Sequence, residues 1–318
     1  MDKVNSIMSI MQSINYGFLD KNGNNIFDNE EVEYIFNSAY YLLSPEELLE
    51  KKVGVCWDQV ELERKLFSEA NIKIETYFIF IDDKKNLPSH TFLVYYTDNK
   101  VYWFEHSWYD EQGIHEYKSL NELLNEVEIK FRKSSENEVE AGLDIHIYKY
   151  KKPNYNITCD QFYEYIYTQE EIYNYKLKKA SIDDLDKLKY YKLKTIMDFS
   201  KYLSDKEMNK INNYINETIS TFINQYSMIV YNKKIIGSVL IRKIEEGNLL
   251  DEIYIEKDYR NKKIGSSIIE NCINNSNENI YLWVYKKNSK AIKLYKNFGF
   301  KVIDETDSRY YMEYSKTI

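Results

Sequence analysis

Two groups of residues in this chain have the types and spacing that chemistry requires. The first opens with Gly54-Val55-Cys56-Trp57-Asp58, which sets a thiol in the first turn of an expected helix. There the helix dipole favours the thiolate, the nucleophilic form. His90 stands just before one expected strand, and Glu105 and His106 lie in the next. Side chains of paired strands lie side by side, so a carboxylate there can orient an imidazole that activates the thiol. Alternation along a strand puts Glu105 and His106 on opposite faces, so only one can face His90, and Glu105 is expected to be that one. The second group is the turn Arg260-Asn261-Lys262-Lys263-Ile264-Gly265 with Ser266, between a strand ending at Ile253-Tyr254-Ile255 and a helix. A turn rich in exposed amides that runs into a helix N-terminus is an anion site, and three basic side chains suit a pyrophosphate. Gly265 lets ligand and backbone approach closely.

About two dozen residues further on, Asn288-Ser289-Lys290-Ala291 opens another helix. Asn288 is its expected cap, and Gly299 its stop before a following strand. The helix carries Tyr295, one of 32 tyrosines, a number that gives any single tyrosine little weight outside a motif. Glu252, at the end of the strand before the basic turn, is a candidate base.

Composition limits what else the chain does. It has 318 residues, enough for two domains, and 43% hydrophobic residues, which predicts a packed globular protein. With 43 basic against 51 acidic residues the net charge is −8, so nucleic acid is not an expected partner and an anionic ligand needs a local basic turn. The three cysteines, Cys56, Cys159 and Cys272, are far apart, so no disulfide framework and no metal site is expected. No stretch approaches the length of a membrane span. A cytoplasmic protein without a membrane partner is the expectation.

One further motif runs from Asp20 to Glu31. Asp20, Asn22, Asn24, Asp28 and Glu31 fall where a calcium loop places its ligands, but Asn25 stands where such loops have glycine. A polar turn is expected there.

The elements that must position these residues follow from periodicity and punctuation. In the first half we expect helices over residues 4–14, from the Ser44-Pro45-Glu46-Glu47 cap, over 56–69 and over 120–131, with strands over 74–81, 91–96, 101–107 and 144–150. A helix-like stretch covers 160–173. A fresh alternation then begins: a strand at 175–177, helices at 182–199 and 205–219, strands at 227–231, 235–242 and 249–255, a helix at 265–274, a strand at 280–284 and a helix at 289–298. The pattern is α+β, with a domain boundary near residue 173 that separates 1–172 from 173–318.

With these residues in place, the second half resembles the GNAT superfamily of N-acetyltransferases. The matching residues are Tyr259-Arg260 with Ile264-Gly265, and Asn288, Ala291, Tyr295 and Gly299-Phe300. The resemblance implies a mixed-sheet acyltransferase with acetyl-CoA as co-substrate. In it, amides near Ile253, Tyr254 and Ile255 meet the pantetheine arm, and residues 260–266 hold the pyrophosphate. It further implies Tyr295 as the acid that protonates the leaving thiolate, with a small-molecule amine or a peptide or protein as acceptor. The family usually has Gly where Lys263 stands, and Lys serves there only if its backbone tolerates a Cβ. The first half resembles a bacterial transglutaminase-like, papain-like domain, through Gly54-Val55-Cys56-Trp57-Asp58, His90-Thr91-Phe92 and Trp103-Phe104-Glu105-His106. That resemblance implies a Cys56, His90, Glu105 site for amide hydrolysis or acyl transfer, or a domain that only binds a peptide or partner. A CoA-binding sensor is the remaining alternative for the whole chain.

Overall fold

A computed structural model describes residues 2–19, 25, 36, 39–83, 88–97, 100–137, 139, 142–199 and 204–316. The chain divides into two compact units, Met1–Ile172 and Tyr173–Ile318. The calcium-like loop from Asp20 to Glu31 lies outside the described residues, apart from Asn25. Among the described residues no helix is long and apolar enough to cross a membrane.

Unit 1 begins with α1 (Asp2–Met11) and the two-residue strand β1 (Asn15–Tyr16). Next come α2 (Pro45–Lys51), β2 (Val53–Gly54) and α3 (Cys56–Glu69). The Ser44 cap of α2 is a full capping box, in which Glu47 Oε2 accepts from Ser44 N at 2.8 Å and Ser44 Oγ accepts from Glu47 N at 3.3 Å. Then follow β3 (Ile74–Ile81), β4 (Ser89–Thr97), β5 (Lys100–Glu105), β6 (Gly113–Tyr117), α4 (Leu120–Ser134), β7 (Ile145–Tyr150), α5 (Cys159–Tyr167) and β8 (Glu170–Glu171). The sheet is antiparallel throughout, in the order β6-β5-β4-β3-β7-β8, and β1 pairs with β2 in a separate parallel ribbon. Alternation sends Phe78 and Phe80 of β3 into a core with Trp57 and Val60 of α3, and Tyr77 and Ile79 into another with Leu123 and Val127 of α4. The helix expected over 160–173 stops at Tyr167 because the next residues form β8 on the edge of the sheet.

Unit 2 contains β9 (Lys176–Lys179), α6 (Leu185–Met197), α7 (Asp205–Phe222), β10 (Tyr226–Tyr231), β11 (Lys234–Ile244), β12 (Gly247–Ile255), α8 (Ile264–Asn275), β13 (Ile280–Tyr285), α9 (Ser289–Asn297), β14 (Lys301–Glu305) and β15 (Arg309–Tyr314). Its seven strands run β14-β15-β13-β12-β11-β10-β9, and only the β12–β13 pair is parallel. The final strand β15 therefore lies between β13 and β14. One face carries Ile229, Val239, Leu250 and Leu282 against Ile264, Ile268 and Ile269 of α8. The other carries Met228, Leu240 and Tyr226 against Leu188 and Tyr191 of α6 and Ile215 and Ile219 of α7. Neighbouring residues 228 and 229 thus serve opposite layers, as period-two strands covered on both faces require.

Candidate functional sites

The site in unit 2 starts with a strand pair that separates. β12 and β13 are joined only by Asn248↔Ile280 and Leu249↔Tyr281. Beyond that point β12 stays paired to β11, and β13 stays paired to β15. The register on β11 jumps from Ile241↔Leu250 to Leu240↔Glu252, so Asp251 is the extra residue of a β-bulge. A bulge bends its strand, and here it coincides with the parting. The amides of residues 253–255 on the side of β13 therefore have no ladder partner there.

The chain leaves β12 through a 3-10 turn, Lys257–Tyr259, and reaches α8 through two residues of positive φ, Asn261 (63°) and Lys263 (60°). Lys263 is the N-cap of α8, and its side chain makes no capping bond. The first intrahelical bond of α8 is Ser267 N to Lys263 O at 3.0 Å. The N–H groups of Ile264, Gly265 and Ser266 precede it, so they and the dipole define an anion seat. Lys263 has the left-handed geometry that explains why glycine suits this position. A Cβ is tolerated there, at a cost of about 1–2 kcal/mol.

Two of the basic side chains of the turn, Arg260 and Lys262, point elsewhere. Arg260 folds back along β12, where its Nε donates to Ile255 O at 2.8 Å and its guanidinium lies 3.7 Å from Asp198 and 5.5 Å from the centre of the Tyr254 ring. Lys262 Nζ sits 4.9 Å over the Tyr173 ring. Arg260 thus fixes the path of the turn, and the backbone amides make up the anion seat.

Ile253 and Ile255 pack toward α8, while Tyr254 stacks on Tyr191 of α6 at 4.6 Å. Glu252 faces the same side as Tyr254. Its Oε1 forms an ion pair with Lys192 of α6, and its Oε2 accepts from the Tyr226 hydroxyl at 3.0 Å. The expected base is therefore held by two partners, from α6 and β10. Neither Lys192 nor Tyr226 carried a local sequence signal, since they lie 60 and 26 residues from Glu252 along the chain.

On α9, Asn288 Oδ1 accepts from Ala291 N at 3.2 Å, which makes Asn288 the helix cap. Gly299, at φ +95°, ends the helix, and the Tyr295 ring packs 5.7 Å from that of Phe300. Among the described residues nothing hydrogen-bonds the Tyr295 hydroxyl. Burial pushes its pKa up to about 12, so it remains a neutral O–H donor at any physiological pH.

In unit 1, Cys56 is the first residue of α3, after the extended Val55 cap. His90 Nε2 lies 2.8 Å from Glu105 Oε2. The Cys56 thiol hydrogen-bonds the same imidazole. Glu105 also accepts from Trp103 Nε1 at 3.2 Å, Ser107 Oγ at 3.0 Å and Trp108 N at 2.8 Å. His106 turns to α3, where its Nδ1 meets Gln59 Oε1 at 2.7 Å. All three members of the group are buried. Burial pulls the His90 imidazolium down, but Glu105 and Cys56 outweigh it and push its pKa up to about 10. Burial raises the Glu105 carboxyl, and His90 with the other donors more than reverses this, holding it below the usual range. Tyr16, absent from the sequence reading, shows a ring edge to solvent while its hydroxyl hydrogen-bonds Cys56.

Residues 224–302 match the acetyltransferase (GNAT) domain family. The matched stretch runs from the start of β10 into β14, so it includes the parted strands, the turn, α8 and Tyr295. Three solved structures are similar to part of this chain. The PaiA N-acetyltransferase from Thermoplasma acidophilum in complex with coenzyme A is 23% identical over 45% of this chain and 99% of that one, with a TM-score of 0.38. Naa50 from Arabidopsis thaliana, in complex with the bisubstrate analogue CoA-Ac-MVNAL, is 24% identical over 45% and 99%, with a TM-score of 0.33. The NatC complex bound to Gag peptide and CoA is 17% identical over 45% and 99%, also with a TM-score of 0.33.

Two predictions come from this geometry. Lys263→Gly should raise stability by about 1 kcal/mol, since it removes a left-handed Cβ. Gly265→Ala should leave the fold intact, because an added Cβ meets only Ile255 Cδ1 at an ordinary 3.5 Å, yet it should weaken CoA binding by crowding the anion seat. Urea denaturation and calorimetric titration with CoA check both. For His90, the raised pKa means that its pairing stabilises unit 1 fully below the unfolded imidazole pKa and is lost as pH rises through about 10. An NMR titration of the imidazole should show it charged at neutral pH, and in Glu105→Gln, where burial is left with little opposition, largely neutral.

A GNAT acetyltransferase domain thus occupies residues 224–302 of unit 2 and marks it as an acyltransferase.

Proposed function

We propose that unit 2 transfers an acetyl group from acetyl-CoA to an amine, either on a small molecule or on a peptide or protein. The observation that carries this reading is the parting of β12 from β13 directly before the uncapped start of α8. The open edge of residues 253–255 matches an extended pantetheine arm, which brings its own amides to the missing ladder. The N–H groups of Ile264, Gly265 and Ser266 receive the pyrophosphate. The thioester then lies in the opening between the strands, with Glu252 on one side and Tyr295 on the other. The amine nitrogen attacks the thioester carbonyl, so that an N–C bond forms and the C–S bond breaks. Glu252 takes the proton the nitrogen loses, through water, and Tyr295 gives its proton to the departing sulfur. The products are an amide and the CoA thiol, and Tyr295 recovers its proton from solvent.

Tyr295→Phe should lower kcat by about 10²-fold, in the range of a lost acid–base contribution, while CoA affinity changes little. Release of CoA thiol and calorimetric binding measure the two quantities. Equal loss of both would make Tyr295 a packing residue.

For unit 1 we propose a transglutaminase-like cysteine site, on the strength of the 2.8 Å His90–Glu105 pair set beside Cys56. The free state of all three thiols is consistent with a cytoplasmic setting. Cys56 should alkylate with iodoacetamide well ahead of Cys159 and Cys272, whose thiols burial pushes up to about 12. Mass-spectrometric peptide mapping of a time course decides the matter. If the three cysteines label at one rate, unit 1 is a binding module that presents a partner to unit 2.

A further inference from the structure

The charges around Glu252 say more about the acceptor than the acetyl-transfer reading requires. On the α6 side of the parted strands, Lys192 pairs with Glu252, and Arg242 Nε pairs with Asp251 at 2.8 Å. Lys192 is 6% exposed, so its pair with Glu252 is largely removed from water. The Tyr214 ring of α7, 5.1 Å from the ammonium, covers it further. A third cation, Arg309 at the start of β15, lies within Coulombic reach of Lys192. Its guanidinium donates to the Tyr285 hydroxyl at 2.5 Å and sits 4.3 Å over that ring, and among the described residues it has no carboxylate.

This arrangement borders the opening between the strands. Tyr285 ends β13, and its ring stacks on Phe199 at 4.9 Å. The neighbouring Asp198 reaches Arg260, beyond the end of β12. The segment just past α6 therefore touches both arms of the opening, on the face where Glu252, Lys192 and Arg309 gather.

An incoming ammonium must compete with Lys192 for Glu252. If it succeeds, Lys192 is left as a buried cation without its partner beside Arg309, and removing the partner of a buried charge is costly. A simple amine offers nothing in return. An acceptor that carries an anionic group next to its amine exchanges one ion pair for two, with its ammonium on Glu252 and its anion on Lys192 and Arg309. The planar fork of Arg309, already held against Tyr285, matches a carboxylate.

We propose that the acceptor is an amine flanked by a carboxylate, and that Lys192 and Arg309 select it. This rests on the acetyl-transfer reading and adds the acceptor class. The shared chemistry is present in a free amino acid and in a peptide N-terminus followed by Asp or Glu, and the assay separates these sources.

The test uses the full chain with acetyl-CoA, and reads CoA thiol release and the acetylated product. Acceptors come in matched pairs: free amino acids against their carboxamides, and short peptide amides with Asp or Glu second against the same peptides with Asn or Gln second. The carboxylate member of at least one pair should have a kcat/KM about tenfold higher, mainly through KM, the scale of one charge-assisted hydrogen bond. Arg309→Gln should bring that ratio close to one, and Arg309→Lys should restore part of it. Thermal melting separates lost selectivity from lost folding, and if Arg309→Gln does not fold, Arg309→Lys with its reduced ratio decides. A chain that binds CoA and shows no carboxylate preference in either series, including one that turns over none of the acceptors, overturns the acceptor class. So does a preference that Arg309→Gln leaves unchanged. A chain that binds no CoA overturns the acetyl-transfer reading itself.

Discussion

Everything in unit 2 depends on two strands that pair for two residues and then separate. Parallel neighbours in a sheet normally satisfy each other's backbone groups along their whole length. Here the extra residue Asp251 bends β12 away from β13 after Leu249↔Tyr281. The exposed backbone edge that results is costly to leave bare and well suited to an extended ligand with amides of its own. β11 holds one arm and β15 the other, so the opening is fixed by the sheet and does not rely on a loop. The close approach of β11 helps hold that arm, since a Cβ at Gly237 would run into the carbonyl oxygen of Tyr254.

Electrostatics then assigns the two ends of the opening different tasks. With a net charge of −8, the chain has no general attraction for anions. At the far end of β12 the solution is local: three helix-start amides with no partner in α8, and a turn braced by Arg260. At the near end the charges come in compensated pairs apart from Arg309, which has no carboxylate among the described residues. Because Glu252 and Lys192 are shielded from water, exchanging their partners favours a ligand that brings both signs. In the reaction we propose, donor recognition rests on backbone, and acceptor recognition on side chains from α6 and β15. The two can therefore change independently.

The donor end was legible in the sequence because its signals are contiguous. A strand, a basic turn, a helix start and a capped helix with Gly299 at its end each leave a local pattern, and Lys263 stood out as the residue at odds with it. The structure resolves that conflict with a left-handed backbone at φ 60°. The acceptor end was not legible. Lys192, Tyr226 and Arg309 reach Glu252 or its surroundings only through the order of the sheet and the packing of α6, and no spacing in the chain announces them. The position of β15 between β13 and β14 escaped for the same reason, being a long-range pairing. In unit 1 alternation points Glu105 and His106 to opposite faces, and in the structure one meets His90 and the other meets Gln59. The Tyr16 hydroxyl on Cys56 had no such cue, because it arrives on a two-residue strand paired to β2.

The central claim is that the open edge of β12 and the start of α8 form one continuous seat for acetyl-CoA. Hydrogen–deuterium exchange of the intact chain, with and without acetyl-CoA, tests it most directly. The account predicts slower exchange in peptides covering residues 250–266, with the amides of Ile253, Ile255 and 264–266 protected together. Protection confined to unit 1, or none in either stretch at saturating acetyl-CoA, would contradict it.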